Sequence, residues 1–124
     1  MGPKRLLLVD DNVDLATVFS LMLERRGYEV MPAHSVDQAL SYSRFFKFDL
    51  VICDIIFAHK SGYVFLESFR EVSNAPVLAT SAWTLPKERE KALAAGFADL
   101  LPKPLLIEKL VVAIEGALIP SASR

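Results

Sequence analysis

The sequence predicts an α/β fold in which helices cover both faces of one parallel β-sheet. Five short apolar runs start at intervals of roughly 21 to 28 residues, and helical periodicity fills the intervals between them. Repeated strand–helix units of this length are typical of right-handed crossovers between parallel strands. The five runs are residues 5–9, 28–31, 50–53, 76–79 and 99–101.

Length and composition indicate a single globular domain. The chain has 124 residues and a formal net charge of −1, which argues against a general affinity for nucleic acid or acidic membranes. Its one cysteine, Cys53, lies inside the third run, so an intrachain disulfide and a paired-cysteine metal site are excluded. We expect residues 1–119 to form the domain and residues 120–124 to form a tail or the start of a linker.

The apolar runs are too short to span a bilayer, and the first residues lack a signal-peptide pattern. A cytoplasmic protein with no membrane partner is the expectation.

Capping residues mark the first two helices. Asn12 can cap the first helix and Gly27 can end it, while Ser35 and Gln38 form a capping-box pattern that opens the second. In the first helix we expect one inward-facing stripe, made of Leu15, Val18, Phe19, Met22 and Leu23.

The remaining helices follow the third, fourth and fifth runs. The third begins after Gly62, the fourth begins near Thr84 and ends at Gly96, and the fifth runs from about Leu105. The fourth has an Ala-rich face, which predicts the weakest anchoring to the core.

Carboxylates follow two of the runs directly. Asp10 and Asp11 come after the first run, and Asp54 comes after the third. In open α/β sheets ligands bind outside the carboxyl ends of the strands, so these side chains are candidates for one crevice. Like charges in one crevice repel, and a hard divalent cation such as Mg²⁺ resolves the conflict. The alternative is that each aspartate merely ends a strand or caps a helix.

Two further polar residues end the last two runs. Ser81 closes the fourth run and Lys103 follows the fifth. Alone, each is an ordinary loop hydroxyl or a solvated lysine. Together with the carboxylates they form a set suited to a metal and to an anion on a nucleophilic aspartate.

These segments resemble the receiver domain of two-component response regulators. The resemblance covers essentially the whole chain and rests on LLLVDDN, VICDIIFAHKSG, VLATSA and the late Lys103-Pro104. It implies a flavodoxin-like, CheY-like fold: a doubly wound (βα)5 arrangement with a five-stranded parallel sheet in the order 2-1-3-4-5. It also implies a phosphoryl-accepting signalling domain rather than an enzyme with an external substrate.

The resemblance assigns a role to each matched position. Asp54 would be the phosphoacceptor, and Asp11 and Asp54 would bind Mg²⁺, or Mn²⁺ in its place. Asp10 would help through water, and the backbone carbonyl of Ile56 would supply a further ligand. The two residues expected to meet the phosphoryl group are Ser81, as the switch hydroxyl, and Lys103, whose bond to Pro104 would be cis.

Departures from the family concern signal output and phosphoryl lifetime. Relatives usually carry Tyr or Phe where this chain has Leu100. We therefore expect the signal to leave through repacking of Leu100 or through another face. Trp83 is a candidate to replace the aromatic switch residue, and its alternative role is to pack on the fourth helix. Ile56 and Trp83 stand at positions that tune hydrolysis, and both orient water poorly, so we expect slow self-dephosphorylation. The loop residues Phe57 and Ala58 also differ from the family pattern.

Three residues near the matched segments receive no functional role. We interpret His59 as an exposed loop histidine, His34 as the opening of the second helix, and Cys53 as a core residue.

The resemblance implies a histidine kinase or phosphotransfer protein as partner. It also implies a possible homodimer through the fourth helix, fifth strand and fifth helix. Val111, Val112 and Leu100 are candidates for that interface, and the alternative for each is packing in the core.

Two alternative functions compete with this interpretation, and the second is disfavoured. A degenerate receiver that serves only as an interaction module is favoured by Leu100, Ala58 and the surplus of phenylalanines. An aspartyl phosphatase would need a second carboxylate shortly after Asp54, and Ile55 and Ile56 offer none.

Overall fold

The computed structural model describes residues 2–56 and 61–119. In these ranges five strands alternate with five helices. The strands are β1 Arg5–Val9, β2 Glu29–Ala33, β3 Leu50–Asp54, β4 Val77–Ser81 and β5 Asp99–Pro102. The helices are α1 Val13–Glu24, α2 Val36–Phe45, α3 Gly62–Phe69, α4 Pro86–Ala95 and α5 Ile107–Ala117.

The strands form one parallel sheet in the order β2-β1-β3-β4-β5, as predicted. Successive residues of each strand face opposite sides, so the core has two layers. Leu7, Val9 and Val51 belong to the layer that contains the inner faces of α2, α3 and α4. Leu6 and Leu8 belong to the layer of α1 and α5. The carboxyl ends of β1 and β3, which are neighbours, therefore meet at one edge.

The predicted capping residues of the early helices are confirmed. The Asn12 side chain accepts the N–H of Leu15, and the Ser35 hydroxyl accepts the N–H of Gln38. Gly27 and Gly96 follow α1 and α4 with φ angles of 93° and 112°, a region that glycine enters without a steric penalty.

The predicted stripe of α1 is partly wrong. Leu15 and Val18 are 44% and 46% exposed, and the buried residues are Ala16, Ser20 and Leu23. This helix is apolar on more than one face, so periodicity alone did not identify its inner side. Small residues at positions 16 and 20 face the sheet, and two large aliphatic side chains are left at the surface.

Helix α4 is the most weakly anchored, as expected from its composition. Ala92 is its buried residue, and Leu85 at its N-cap makes no side-chain capping bond. Arg89 ties the helix to β5 through the Asp99 carboxylate. Among the described residues, no helix is both long enough and apolar enough to cross a membrane.

Candidate functional site

Asp54 is the last residue of β3 and lies at the centre of the candidate site. It is only 6% exposed, and its two carboxylate oxygens have different partners. Oδ1 accepts the backbone N–H of Ile56 at 3.1 Å, while Oδ2 accepts a hydrogen bond from Lys103 Nζ at 2.7 Å. The carboxylate is therefore held in one orientation at the end of a buried strand.

Residues 55–56 and residues 61–62 lie against each other next to the end of β3. The N–H of Gly62 donates to the carbonyl of Ile55 at 2.6 Å, and Ile56 forms an isolated bridge with Ser61. A Cβ on Gly62 would lie 2.6 Å from the backbone oxygen of Asp54, so no larger residue fits without a shift. Ser61 and Gly62, at the start of α3, thus belong to the framework that places Asp54.

Asp10 and Asp11 follow β1, the neighbour of β3. Asp10 Oδ1 accepts the N–H of Asn12, the N-cap of α1, at 2.9 Å. This hydrogen bond holds the Asp10 side chain at the start of the helix. Asp10 is half-buried and Asp11 is exposed. Oxygen atoms of Asp10, Asp11 and Asp54 all lie within 4.8 Å of one another. The structure therefore brings together the three carboxylates that the sequence singled out.

The electrostatics of this cluster suit a divalent cation. The pKa of Asp10 is raised, because burial and the neighbouring Asp54 and Asp11 outweigh the opposing effects of Asn12 and Lys103. A carboxylate that ionises with difficulty gains from a cation beside it. Mg²⁺ prefers hard oxygen ligands and usually keeps several waters. Three carboxylates, of which Asp11 is exposed to solvent, match that preference. The residues present therefore fit the implied metal.

Lys103 places a positive charge at the site. Its Nζ lies 2.7 Å from Asp54 Oδ2 and 3.7 Å from Asp10 Oδ2. Burial alone would lower the pKa of Lys103, but the hydrogen bond to Asp54 and the attraction of the three carboxylates raise it. Lys103 is therefore fully charged at neutral pH. The Lys103–Pro104 peptide bond is cis, as expected.

Ser81 is the last residue of β4 and is buried. Its Oγ accepts the backbone N–H of Trp83 at 2.9 Å, and its carbonyl accepts the N–H of Lys103 at 2.9 Å. Because β4 lies beside β3, with Thr80 in register with Asp54, Ser81 ends at the same edge. The predicted hydroxyl and the predicted lysine are joined through the backbone.

The two candidate switch residues lie in opposite environments. Leu100 is only 4% exposed and is part of the core layer beneath α4. Trp83 is 61% exposed. Of the two alternatives for Leu100, a dimer contact or core packing, the structure therefore shows core packing. The switch role of either residue stays a prediction.

His34 was given no role from the sequence, yet the structure places it beside the acidic cluster. Its Nδ1 lies 3.2 Å from the backbone oxygen of Asp10. The signal that could have identified it is its position directly after the second strand, combined with the strand order that the family resemblance implies. Cys53 is fully buried, and burial raises the pKa of its thiol well above the usual value, in agreement with a core role.

Several expectations concern residues outside the described ranges. These are the loop differences at Phe57 and Ala58, the role of His59 and the tail at 120–124. The carbonyl of Ile56 as a metal ligand also stays a prediction, although the N–H of that residue contacts Asp54.

Comparison with known proteins agrees with this geometry. Residues 6–115 match the family model described as the response regulator receiver domain. The transcriptional regulatory protein ZraR of Salmonella typhimurium is 35% identical over 132 aligned positions, which cover 98% of this chain. The alignment covers 30% of ZraR, so the chain spans about a third of that relative's length.

Two solved structures illustrate the structural similarity. The Vibrio cholerae chemotaxis protein CheY4 superposes with a TM-score of 0.88 at 27% identity, covering 94% of this chain and all of that one. A response regulator from Burkholderia pseudomallei, solved with a phosphorylated aspartic acid, a calcium ion and citrate, has a TM-score of 0.82 at 29% identity. That match covers 97% of this chain and 69% of the other. With its sheet order, its acidic cluster and these matches, the chain belongs to the response regulator receiver domains of two-component systems.

Proposed function

We propose that this receiver domain accepts a phosphoryl group on Asp54 in a reaction that depends on a divalent cation, Mg²⁺ or Mn²⁺. The observation that carries the proposal is the position of Lys103, whose ammonium group already hydrogen-bonds the Asp54 oxygen at the edge of the acidic cluster. The similar structure from Burkholderia pseudomallei contains a phosphorylated aspartic acid and a calcium ion, which supports both parts of the proposal.

In the proposed reaction a carboxylate oxygen of Asp54 attacks the phosphorus atom of a phosphodonor. The new bond joins that oxygen to phosphorus, and the bond from phosphorus to the donor's nitrogen or oxygen breaks. The electron pair leaves with the donor group, which takes a proton from solvent. A divalent cation held by Asp10, Asp11 and Asp54 would neutralise charge on the carboxylates and the incoming phosphoryl oxygens.

Lys103 and Ser81 would meet the transferred group. Lys103 can exchange its hydrogen bond with Asp54 for one with a phosphoryl oxygen, and its raised pKa keeps it charged throughout. The Ser81 hydroxyl accepts from Trp83 and keeps its own hydrogen to donate. A donor and a cation at the site of developing negative charge stabilise the transition state.

We propose that a histidine kinase or a phosphotransfer protein supplies the phosphoryl group. The exposed Leu15 and Val18 of α1 line an apolar cavity of about 350 Å³, which is also lined by Lys103 and Pro104. An apolar surface directly beside the reactive groups is suited to a protein donor that must bring its phosphorylated residue to Asp54.

We also propose that the domain can form a homodimer through α4, β5 and α5. Val112 is 69% exposed and Val111 is half-buried, so the α5 side of this face can contribute apolar contacts.

We also propose a cytoplasmic setting, in keeping with the family.

The chemical nature of the product tests this function. The full chain is incubated with phosphoramidate and Mg²⁺ and then treated with hydroxylamine, which cleaves acyl phosphates and leaves phosphate esters intact. We expect one phosphoryl group, removed by hydroxylamine. A hydroxylamine-stable phosphate would place the modification on a hydroxyl and contradict the proposal.

A further inference from the structure

The imidazole of His34 is hydrogen-bonded to the backbone of the acidic cluster. Its Nδ1 lies 3.2 Å from the carbonyl oxygen of Asp10. A carbonyl oxygen can only accept, so Nδ1 carries the hydrogen and donates it. The backbone N–H of His34 donates to Gln38 Oε1 at 2.7 Å, which fixes the residue against the first turn of α2.

This contact acts on the peptide unit that joins Asp10 to Asp11. The N–H of Asp10 donates to the carbonyl of Ala33 at 3.0 Å, and the carbonyl of Asp10 accepts from His34. The end of β2 thus holds Asp10 on both sides. Since a peptide unit is planar, a donor on the Asp10 carbonyl fixes the plane from which the Asp11 chain continues. The relative placement of two carboxylates of the cluster follows from that plane.

We propose that His34 is a positioning residue that sets the geometry of the Asp10–Asp11 pair and thereby the affinity of the cluster for a divalent cation. The inference rests on the proposed function of the same site. Groups that orient metal ligands from behind typically change metal affinity by about 10- to 100-fold when they are removed. His34 does so through the backbone of a ligand-bearing segment rather than through a ligand side chain.

A purely structural role for His34 would be to stabilise the start of α2. Ser35 offers a matched control for that role, because its hydroxyl caps the same helix through the N–H of Gln38 at 3.0 Å. The change Ser35→Ala removes a cap one residue away and leaves the contact between His34 and Asp10 in place. A structural role predicts the same effect from both positions.

The experiment measures Mg²⁺ affinity of the full chain by calorimetry and by the fluorescence of its single tryptophan, Trp83. Two variants, His34→Leu and His34→Asn, introduce side chains of nearly the same shape. Of these two side chains, only Asn keeps an N–H donor. We expect His34→Leu to weaken Mg²⁺ binding by about tenfold. We expect His34→Asn to restore most of the affinity, and Ser35→Ala to lower the unfolding temperature without changing the affinity.

Two results would overturn the inference. One is an unchanged Mg²⁺ affinity in His34→Leu, and the other is an equal loss in Ser35→Ala. If His34→Leu does not fold, the Mg²⁺ affinity of His34→Asn is compared with that of wild type instead. Because Asn keeps a donor, a full loss of Mg²⁺ affinity in this variant would contradict the positioning role of His34. Phosphorylation of Asp54 is assayed in parallel. A wild type whose Mg²⁺ affinity depends on His34 but that accepts no phosphoryl group would refute the proposed function alone.

Discussion

The ammonium group of Lys103 donates a 2.7 Å hydrogen bond to the carboxylate of Asp54. The two residues lie 49 positions apart, at the ends of strands that β4 separates in the sheet. The Lys103 Nζ atom also lies 3.7 Å from Asp10 Oδ2, so this ammonium group contacts two carboxylates of the cluster. The charge balance of the site depends on this residue.

Replacing Lys103 with Met should have opposite effects on metal binding and on phosphorylation. The ammonium group and a divalent cation in the same cluster would repel each other. For two like unit charges 4 Å apart, the repulsion is roughly 1 kcal/mol in bulk water and roughly 4 kcal/mol near a protein surface. Loss of the ammonium should therefore tighten Mg²⁺ binding about tenfold or more. The rate of phosphorylation should fall by at least about tenfold, because the phosphoryl oxygens lose the stabilising positive charge of the Lys103 ammonium group. Calorimetry and timed intact-mass measurements check the two effects.

The exposed Lys109 on α5 supplies the charge-matched control. We expect Lys109→Met to change neither quantity. Weaker Mg²⁺ binding in Lys103→Met would contradict the assigned charge balance.

Replacing Asp10 with Asn should stabilise the metal-free fold and weaken the metal site. The raised pKa of Asp10 means that the folded chain binds this proton more tightly than the unfolded chain does. Stability therefore falls as the pH rises above 3.8, the ordinary value, and a neutral residue avoids that loss. With chelator at pH 7 we expect a rise of about 2–5 °C in the unfolding midpoint of Asp10→Asn relative to wild type. This difference should vanish below pH 3.8, where the Asp10 carboxyl group is protonated in both the folded and the unfolded chain.

The same change at Asp14 serves as a comparison. Asp14 is an exposed carboxylate in the first turn of α1, where negative charge is favourable. Asp14→Asn should leave the midpoint unchanged or lower it slightly. A destabilised Asp10→Asn variant would show that the carboxylate contributes to folding rather than opposing it.

Replacing Gly62 with Ala should destabilise the fold and disturb the site. The new Cβ would lie 2.6 Å from the Asp54 oxygen and 2.9 Å from the Ile55 Cα, both backbone atoms that cannot move independently. Overpacking of this kind costs about 1–3 kcal/mol, which denaturant unfolding measures. Gly116→Ala is the control, since its Cβ would have no atom within 4 Å. That helical change should stabilise by about 0.5–1 kcal/mol. Equal effects at the two glycines would refute the close approach.

Self-dephosphorylation should be slow because of Ile56 and Trp83. Both side chains are more than half exposed, at 56% and 61%, and neither has a group that orients an attacking water well. The double variant Ile56→Asn with Trp83→Glu should lose its phosphoryl group faster, as followed by intact mass after donor removal. A decay rate equal to that of wild type would mean that other residues control the lifetime.

The positions of the main site residues were predictable because parallel strands end at one edge of the sheet. Asp54 and Ser81 each complete a strand, so apolar runs alone located them. The face of α1 was not predictable in the same way, since Leu15 and Val18 satisfy helical periodicity as well as Ala16 does. Only the packed structure distinguishes a buried small residue from an exposed large one.

The contact of His34 with Asp10 depends on information that local sequence does not contain. The two residues are 24 positions apart and meet because β2 pairs with β1. Strand order entered the sequence analysis only through a family resemblance, and His34 was not among the residues that carry it. A tertiary hydrogen bond to a backbone carbonyl leaves no motif.

The most direct test of the central claim is the intact mass of the chain after incubation with phosphoramidate, with Mg²⁺ or with chelator. Asp54→Asn is the comparison, because it keeps the size of the side chain and removes the nucleophilic charge. We predict one added phosphoryl group on wild type with Mg²⁺ and none in the other combinations. A phosphoryl group on Asp54→Asn, or a wild type that neither reacts nor binds Mg²⁺, would contradict the account and favour an interaction module that does not cycle.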